Sequence, residues 1–166
     1  GGEIHLESEV GKGTAISTIL AFELDKTLEA DPQQVKIQKI AFEKLRILLV
    51  EDTFFNQMLA IELLKSRIPG VIIEVAENGQ VALEKMESDS AFDLVLMDLK
   101  MPVMDGLEAT RRIRAQPKWS KLPIIALTAN AVQAELDKCR EVGMDAYVTK
   151  PIDTEELFET MMKVMG

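Results

Sequence analysis

The stretch Phe92-Asp93-Leu94-Val95-Leu96-Met97-Asp98 decides the fold of this chain. A short apolar run rich in branched side chains is typical of a strand that is covered on both faces, as in parallel sheets. Met101-Pro102 then turns the chain, and a helical pattern begins at Asp105-Gly106. The sequence therefore predicts that Asp98 ends a parallel strand, at the edge where open α/β sheets place their chemistry.

The same alternation extends over residues 45–166. Strand-like runs lie at 45–50, 71–76, 92–98, 122–128 and 146–149, and helical patterns lie at 55–67, 80–87, 106–115, 131–141 and 154–165. Strict alternation of strand and helix implies right-handed crossovers and helices on both faces of a parallel sheet. The sequence thus predicts an α/β fold with a doubly wound five-stranded parallel sheet.

Polar side chains stand at the ends of four predicted strands. The first strand is followed by Glu51-Asp52, the third ends in Asp98, the fourth ends in Thr128, and the fifth is followed by Lys150-Pro151. Because parallel strands end at one edge of a sheet, we expect these groups to converge. Crowded carboxylates resist ionisation unless a cation joins them, and an all-oxygen ligand set favours Mg²⁺. Taken singly, Glu51 or Thr128 could cap a helix and Lys150 could be a surface charge.

The first 44 residues differ from the rest of the chain. In the segment 1–25, residues 3–8 alternate with a period of two, 10–13 supply a turn and 14–22 resemble a second strand, which predicts a β-hairpin. Because an isolated hairpin is marginal in water, we expect it to belong to a sheet whose remainder lies outside this sequence. Residues 26–44 are polar and mixed in charge, and we predict a linker with a short helix.

Composition narrows the classes of partner. The chain has 28 acidic and 19 basic residues and a formal net charge of −9, which disfavours nucleic acid as a partner. Arg111, Arg112 and Arg114 form the densest basic cluster and are expected on a solvated helix face. The single cysteine, Cys139, excludes an internal disulfide and favours a reducing, cytoplasmic location. No run approaches the ~18 apolar residues of a membrane span, so we expect no membrane contact by this fragment, although its parent could be membrane-anchored.

Residues 45–166 resemble a response-regulator receiver domain over the whole length of that domain. The resemblance rests on the polar groups at the four strand ends and on one further stretch of sequence. This stretch is Leu96-Met97-Asp98-Leu99-Lys100-Met101-Pro102-Val103-Met104-Asp105-Gly106. That family has a flavodoxin-like (βα)₅ fold, with an acidic pair after the first strand and a phosphoaccepting aspartate after the third. It has Thr or Ser after the fourth strand and Lys-Pro after the fifth. Glu51 is a common variant of the first acid and should leave metal binding intact.

The resemblance implies a two-component phosphorelay receiver that catalyses its own phosphorylation and dephosphorylation. Asp98 would accept a phosphoryl group from a phosphohistidine, with Thr128 and Lys150 completing the catalytic set. Mg²⁺ would be held by Glu51, Asp52, Asp98 and, through its backbone carbonyl, Lys100. Because such transfers pass through a loose transition state, neutralising the phosphoryl oxygens matters more than acid–base chemistry.

The resemblance also implies a conformational switch. Thr128 would move toward the phosphate, and Tyr147 of the fifth strand would fill the space behind it, although Tyr147 could instead be an ordinary edge-strand aromatic. The face formed by the last two helices and the fifth strand would then change shape. A cis peptide bond before Pro151 is implied as well. Lys100 and Asn130 would flank the phosphate and set its lifetime.

The N-terminal segment carries a second resemblance. Residues 1–14 resemble the closing β-hairpin of the ATP-binding domain of sensor histidine kinases, whose ATP-contacting boxes would lie before Gly1. His5 lies on a predicted strand, whereas the phosphorylated histidine of that family lies on a helix in another domain. A kinase tail followed by a linker and a receiver resembles a hybrid sensor histidine kinase, a transferase. The implied partners are a histidine kinase domain, of the same or another chain, and a histidine-phosphotransfer protein; a homodimer stays open.

Three other classes are weighed against a receiver. A receiver-shaped interaction module that is never phosphorylated would have no need of an intact Asp98, Thr128 and Lys150. A phosphatase of the haloacid-dehalogenase type also uses a strand-end aspartate, but that family has a second aspartate two positions on, where this chain has Lys100. A flavodoxin-like flavin carrier has a hydroxyl-rich first loop, whereas Glu51-Asp52-Thr53-Phe54-Phe55 would repel phosphate without a metal.

Overall fold

The computed structural model describes residues 2–9, 13–20, 45–88 and 91–166. The chain divides into two compact units, Gly1–Ile40 and Ala41–Gly166, which are described separately. The predicted linker at 26–44, with its short helix, lies outside the described residues. Within the described part of the chain, no helix has both the length and the apolar character needed to cross a membrane.

The first unit contains the predicted hairpin. Strand β1 (Gly2–Glu9) pairs antiparallel with strand β2 (Gly13–Leu20), so that Gly2 lies opposite Leu20 and Glu9 opposite Gly13. Gly13 has a φ of 104°, a conformation that is easily reached only by glycine. Of the predicted turn at 10–13, residues 10–12 lie outside the described residues and Gly13 is the first residue of β2; residues 21 and 22 of the predicted second strand also lie outside them.

The second unit is an alternating α/β domain. The strands are β3 (Arg46–Val50), β4 (Ile72–Ala76), β5 (Leu94–Asp98), β6 (Ile124–Thr128) and β7 (Ala146–Thr149). The helices are α1 (Phe54–Arg67), α2 (Gly79–Ser88), α3 (Gly106–Arg114), α4 (Gln133–Glu141) and α5 (Thr154–Met165). All strand pairs in this sheet are parallel, and the spatial order is β4-β3-β5-β6-β7. The predicted doubly wound fold is confirmed, with small shifts at the ends of the elements and an additional 3₁₀ helix at Pro117–Trp119.

Two hydrophobic layers sandwich the sheet. Successive strand residues point to opposite faces, so Ile47 and Leu49 of β3 pack with α1 and α5, while Leu48 and Val50 pack with α2 and α3. All five residues of β5 are buried, as predicted for a strand covered on both faces. Each large aliphatic side chain buried in this way contributes about 1.5–3 kcal/mol. The central strand that carries Asp98 is therefore firmly held in the sheet, as is β6, whose five residues are also all buried.

Helix α3 approaches the end of β5 at van der Waals distance. The backbone N–H of Gly106, at the start of α3, donates to the carbonyl oxygen of Leu99 at 3.1 Å. A Cβ added at Gly106 would lie 2.1 Å from the backbone oxygen of Asp98. Only glycine allows this approach, so the start of α3 packs directly against the backbone of Asp98.

Arg114, the last residue of α3, departs from the expected solvated arginine face. Arg111 and Arg112 are exposed and pair with Glu108, but the Arg114 side chain is only 17% exposed and binds Asp145 at 2.8 Å. Its guanidinium also donates to three backbone carbonyls at 2.8–2.9 Å, those of Trp119, Leu122 and Gly143. Burial lowers the pKa of Arg114 more than Asp145 raises it. The prediction for Arg114 was wrong because its partners include Gly143 and Asp145, which are distant in sequence and which helical spacing cannot reveal.

Candidate functional site

The strand order brings the predicted site residues to one edge. The strands β3, β5, β6 and β7 are consecutive neighbours in the sheet, and β4 lies on the outer side of β3. Asp98 and Thr128 are the last residues of β5 and β6, while Glu51 and Lys150 directly follow β3 and β7. The expected convergence of these side chains at the carboxyl edge is therefore observed.

Three carboxylates form the centre of the cluster. Glu51, Asp52 and Asp98 each offer one oxygen atom, and these atoms lie within 4.8 Å of one another. Glu51 is 1% exposed and Asp98 is 7% exposed, whereas Asp52 is open to solvent. The cluster is therefore shielded from solvent at Glu51 and Asp98 and accessible to solvent at Asp52.

Lys150 neutralises part of this charge. Its Nζ lies 2.5 Å from Oε2 of Glu51 and 2.6 Å from Oδ2 of Asp98, so the side chain reaches past β6 to both acids. The peptide bond between Lys150 and Pro151 is cis. Burial raises the pKa of Asp98 more than Lys150 lowers it. Burial alone would lower the pKa of Lys150, but its bonds to Asp98 and Glu51 outweigh that effect and raise it.

The donor set fits a hard divalent cation. Three ionised carboxylates (3 negative charges) and one ammonium (1 positive charge) leave 3 − 1 = 2 negative charges in the cluster. The ligand atoms are oxygens, which Mg²⁺ prefers over nitrogen and sulfur. The backbone N–H of Lys100 donates to Oδ1 of Asp98 at 3.2 Å, so the main chain of Lys100 lies beside the cluster. The residues present are therefore suited to Mg²⁺ in both charge and chemistry.

Two amide side chains that the sequence analysis missed orient Glu51. Asn56 donates from Nδ2 to Oε1 of Glu51 at 2.9 Å, and Gln57 donates from Nε2 to the backbone oxygen of Glu51 at 2.7 Å. Because Lys150 occupies Oε2 of Glu51, both oxygens of this carboxylate have a donor. The sequence feature that could have identified these two residues is a pair of amides in the first turn of the helix that follows the acidic pair.

The hydroxyl of Thr128 is engaged away from Asp98. Thr128 is 2% exposed, and its Oγ1 donates to Oε2 of Glu135 at 2.7 Å and lies 3.0 Å from the backbone oxygen of Asn130. It also accepts from the backbone N–H of Asn130 at 3.1 Å. The other oxygen of Glu135 lies 3.7 Å from Nζ of Lys100. Sequence analysis missed Glu135, because an acidic residue in the first turn of a helix usually needs no partner beyond the helix itself.

Tyr147 lies on the surface. It belongs to the edge strand β7, opposite Ala126 in the strand register, and is 37% exposed. Together with Cys139, Glu156 and Lys163 it lines a groove between α4 and α5. This position agrees with an edge-strand aromatic and with an outward-facing switch residue, so its role in a switch stays a prediction.

Fold and site together define a class of protein. It is a small doubly wound α/β domain that gathers carboxylates, a hydroxyl and an ammonium group at one edge of its sheet. The model of the response regulator receiver domain family matches residues 47–162. The chain belongs to this family, and the homology to two-component receivers that the sequence indicated is confirmed.

Known relatives agree with this assignment. A two-component response regulator of Oryza sativa subsp. japonica is 41% identical over 119 residues, covering 71% of this chain and 92% of that protein. Histidine kinase 5 of Arabidopsis thaliana is 31% identical over 191 residues, covering 99% of this chain. This chain spans 19% of the length of that kinase and 14% of a probable histidine kinase of rice.

One solved structure bears on the metal site. It is the receiver domain of a sensor histidine kinase from Pseudomonas aeruginosa, with a magnesium ion coordinated in its active-site cleft. It superposes with a TM-score of 0.67 and 39% identity, covering 74% of this chain and 98% of that one. That receiver domain holds Mg²⁺ in its active-site cleft, and this chain, which shares its fold, has a cluster of three carboxylates that could hold a metal ion.

Proposed function

We propose that this chain accepts a phosphoryl group from a phosphohistidine onto Asp98 in a Mg²⁺-dependent reaction. The observation that carries the proposal is the surroundings of Asp98, a nearly buried carboxylate between an ammonium group and two further acids. A carboxylate with no chemical role would gain nothing from this burial, which raises its pKa. The same surroundings suit a group that carries phosphate.

The reaction requires an attacking oxygen and compensation of charge. A carboxylate oxygen of Asp98 attacks phosphorus, the P–N bond of the donor breaks, and its electron pair returns to the imidazole. Lys150 binds one phosphoryl oxygen and the Thr128 hydroxyl donates to another, which orients the group for in-line transfer. A bound Mg²⁺ would neutralise further charge on the phosphoryl oxygens. Glu51, Asp52, Asp98 and the carbonyl of Lys100 are the proposed ligands.

The wider role follows from the relatives. A match that extends over 99% of this chain to a histidine kinase supports our proposal that residues 1–25 are a kinase hairpin and 45–166 a receiver of a hybrid kinase. In that arrangement a kinase domain supplies the phosphate and a cytoplasmic histidine-phosphotransfer protein receives it. Phe54 and Phe55 are exposed at the start of α1, one residue after the acidic pair, and offer an apolar surface beside the site. Such a surface suits the docking of a partner that must bring a histidine to Asp98.

We expect the phosphorylated state to be transmitted to partners through Thr128 and Tyr147. We propose that Thr128 turns toward the phosphoryl group and that Tyr147 then leaves its exposed position. Lys100 and Asn130 flank the group and control how readily water reaches it. The same proposal includes the association of two phosphorylated copies, because the groove beside Tyr147 is open to solvent and could receive a second copy.

The experiment is intact mass spectrometry after incubation with acetyl phosphate. We expect the chain to gain one phosphoryl group with Mg²⁺ present and none without it. Asp98→Asn should gain none, whereas Asp137→Asn, an equivalent change on the exposed face of α4, should behave as the unchanged chain. No gain under any condition would contradict the proposal and favour an interaction module that is not phosphorylated.

A further inference from the structure

We propose that Glu135 restrains Thr128, and that competition between Glu135 and the phosphoryl group for the Thr128 hydroxyl couples phosphorylation to helix α4. The inference rests on the proposed function, since it concerns the regulation of the same site. Glu135 is the positioning residue, because it touches Thr128 and not the reacting atoms.

The first step of the argument is the single proton of Thr128. A hydroxyl donates one hydrogen bond at a time, and this one has a carboxylate oxygen of Glu135 at 2.7 Å and the backbone oxygen of Asn130 at 3.0 Å. The bond to the carboxylate is the shorter one and is charge-assisted, so it is the stronger of the two. Thr128 is nearly buried, so water has little access to replace this bond. Thr128 must therefore leave Glu135 before it can donate to a phosphoryl oxygen on Asp98.

The second step is the fate of Glu135 after that bond breaks. Its side chain is 22% exposed and its Oε1 already lies 3.7 Å from Nζ of Lys100. The carboxylate would keep this cation as a partner, and no buried unpaired charge would remain. Each of the two arrangements therefore satisfies Glu135, which is what a two-state element requires.

The third step is the freedom of α4 to respond. A cleft of about 360 Å³ borders the pair, and its lining includes Lys100, Asn130 and Glu135. In α4, all of whose residues are described, Leu136 and Cys139 are the buried side chains, and the N-cap Val132 makes no side-chain capping bond. The bond from Thr128 to Glu135 is a direct polar link between β6 and the first turn of α4. Breaking it would release that turn, so that α4 can report phosphorylation of Asp98.

The test is a double-mutant cycle on the full chain. The rate of phosphorylation of Asp98 by acetyl phosphate with Mg²⁺ is measured by intact mass for Glu135→Ala and Glu135→Gln, each with Thr128 intact and in a Thr128→Ala background. With Thr128 intact, we expect Glu135→Ala to raise the rate about tenfold, the effect of losing one competing charge-assisted bond. Glu135→Gln keeps a neutral acceptor of nearly the same shape and should give an intermediate rate. In the Thr128→Ala background, both changes at Glu135 should have no effect.

The cycle separates this inference from two simpler explanations. If Glu135 acted only by its negative charge near the phosphate, its removal would accelerate the reaction equally in the Thr128→Ala background. If it acted only by stabilising α4, then Ala134→Gly, which weakens the same first turn at an exposed position and leaves Glu135 and Thr128 in place, would have a comparable effect. Either result, or an unchanged rate in Glu135→Ala and Glu135→Gln, overturns the inference while phosphorylation of the unchanged chain upholds the proposed function. If the unchanged chain takes no phosphoryl group, both fail together.

Discussion

Helices α3 and α4 are each nine residues long and contribute to the same hydrophobic layer, but they are held in different ways. Helix α3 has an N-cap, Asp105, whose side chain accepts from the backbone N–H of Glu108 at 2.8 Å. Four of its residues are buried: Gly106, Ala109, Thr110 and Ile113. Helix α4 buries two of its nine described residues and begins at Val132 without a side-chain cap.

The difference corresponds to what lies at the start of each helix. Gly106 of α3 contacts the backbone of Asp98, whose position must not change if its carboxylate is to meet a phosphoryl donor. Helix α4 instead packs on the sheet through few buried side chains and is joined to β6 by the hydrogen bond between Thr128 and Glu135. Segments with few buried contacts open at low free energy and are the ones that move in switches. The domain thus places a well-anchored helix against Asp98, the proposed phosphoacceptor, and a helix with fewer buried residues beside Thr128.

The largest expected effect concerns the contact of α3 with β5. Gly106→Ala would place a Cβ 2.1 Å from the backbone oxygen of Asp98, so the helix must shift. We expect the free energy of unfolding to fall by about 3 kcal/mol or more, measured by urea denaturation. Gly70→Ala is the control, because Gly70 has a φ of 74° but open space around it. It should cost only the backbone strain, about 1 kcal/mol, and equal losses at the two glycines would contradict the close contact.

A second effect compares the cores beneath the two helices. Ile113→Ala in α3 should reduce the free energy of unfolding by about 3–4 kcal/mol, since Ile113 is completely buried in a rigid layer. Leu136→Ala in α4 should cost about 2 kcal/mol, because a helix with few anchors can settle into the space that is left. Thermal and urea denaturation of both variants measure the difference. A larger loss for Leu136→Ala would break the comparison.

The third effect concerns the N-cap of α3. Asp105→Ala removes the acceptor for the backbone N–H of Glu108 and should destabilise the domain by about 1 kcal/mol. Asp105→Asn keeps an acceptor oxygen and should restore most of the loss. Amide hydrogen exchange should become faster in the first turn of α3 for Asp105→Ala alone. Equal exchange in both variants would mean that charge, and not capping, is responsible.

The smallest effect would make α4 more like α3. Val132 is exposed and already has the extended backbone of an N-cap residue, with φ −69° and ψ 136°. Val132→Asn should therefore supply the missing cap and raise the free energy of unfolding by about 0.5–1 kcal/mol. Hydrogen exchange in α4 should slow, whereas Val132→Ala should give no gain. If Val132→Asn stabilises the domain but hydrogen exchange in α4 is unchanged, the missing N-cap is not the reason why α4 is weakly held.

The sequence predicted the parts of the fold that depend on local pattern. The start of α3 was placed correctly because Asp105-Gly106 carries its own capping signal, whereas α4 begins two residues later than expected, at Gln133 and not at 131, because it has no such signal. The edge with Asp98 and Lys150 was predictable because parallel strands must end together. Glu135 was not, since which acceptor the buried hydroxyl of Thr128 finds depends on how the following helix docks, and no spacing in the sequence determines that.

Arg114 has a consequence for the order in which the chain assembles. Its guanidinium joins α3 to Gly143 and Asp145, which lie 29 and 31 residues further along the chain and just before β7. We predict that these bonds form late, after β6 and β7 have paired, and that they are absent from the transition state for folding. Interactions that form late slow unfolding without changing the refolding rate. Arg114→Met should accordingly raise the unfolding rate in stopped-flow measurements and leave the refolding rate unchanged, so that this side chain lengthens the lifetime of the folded domain.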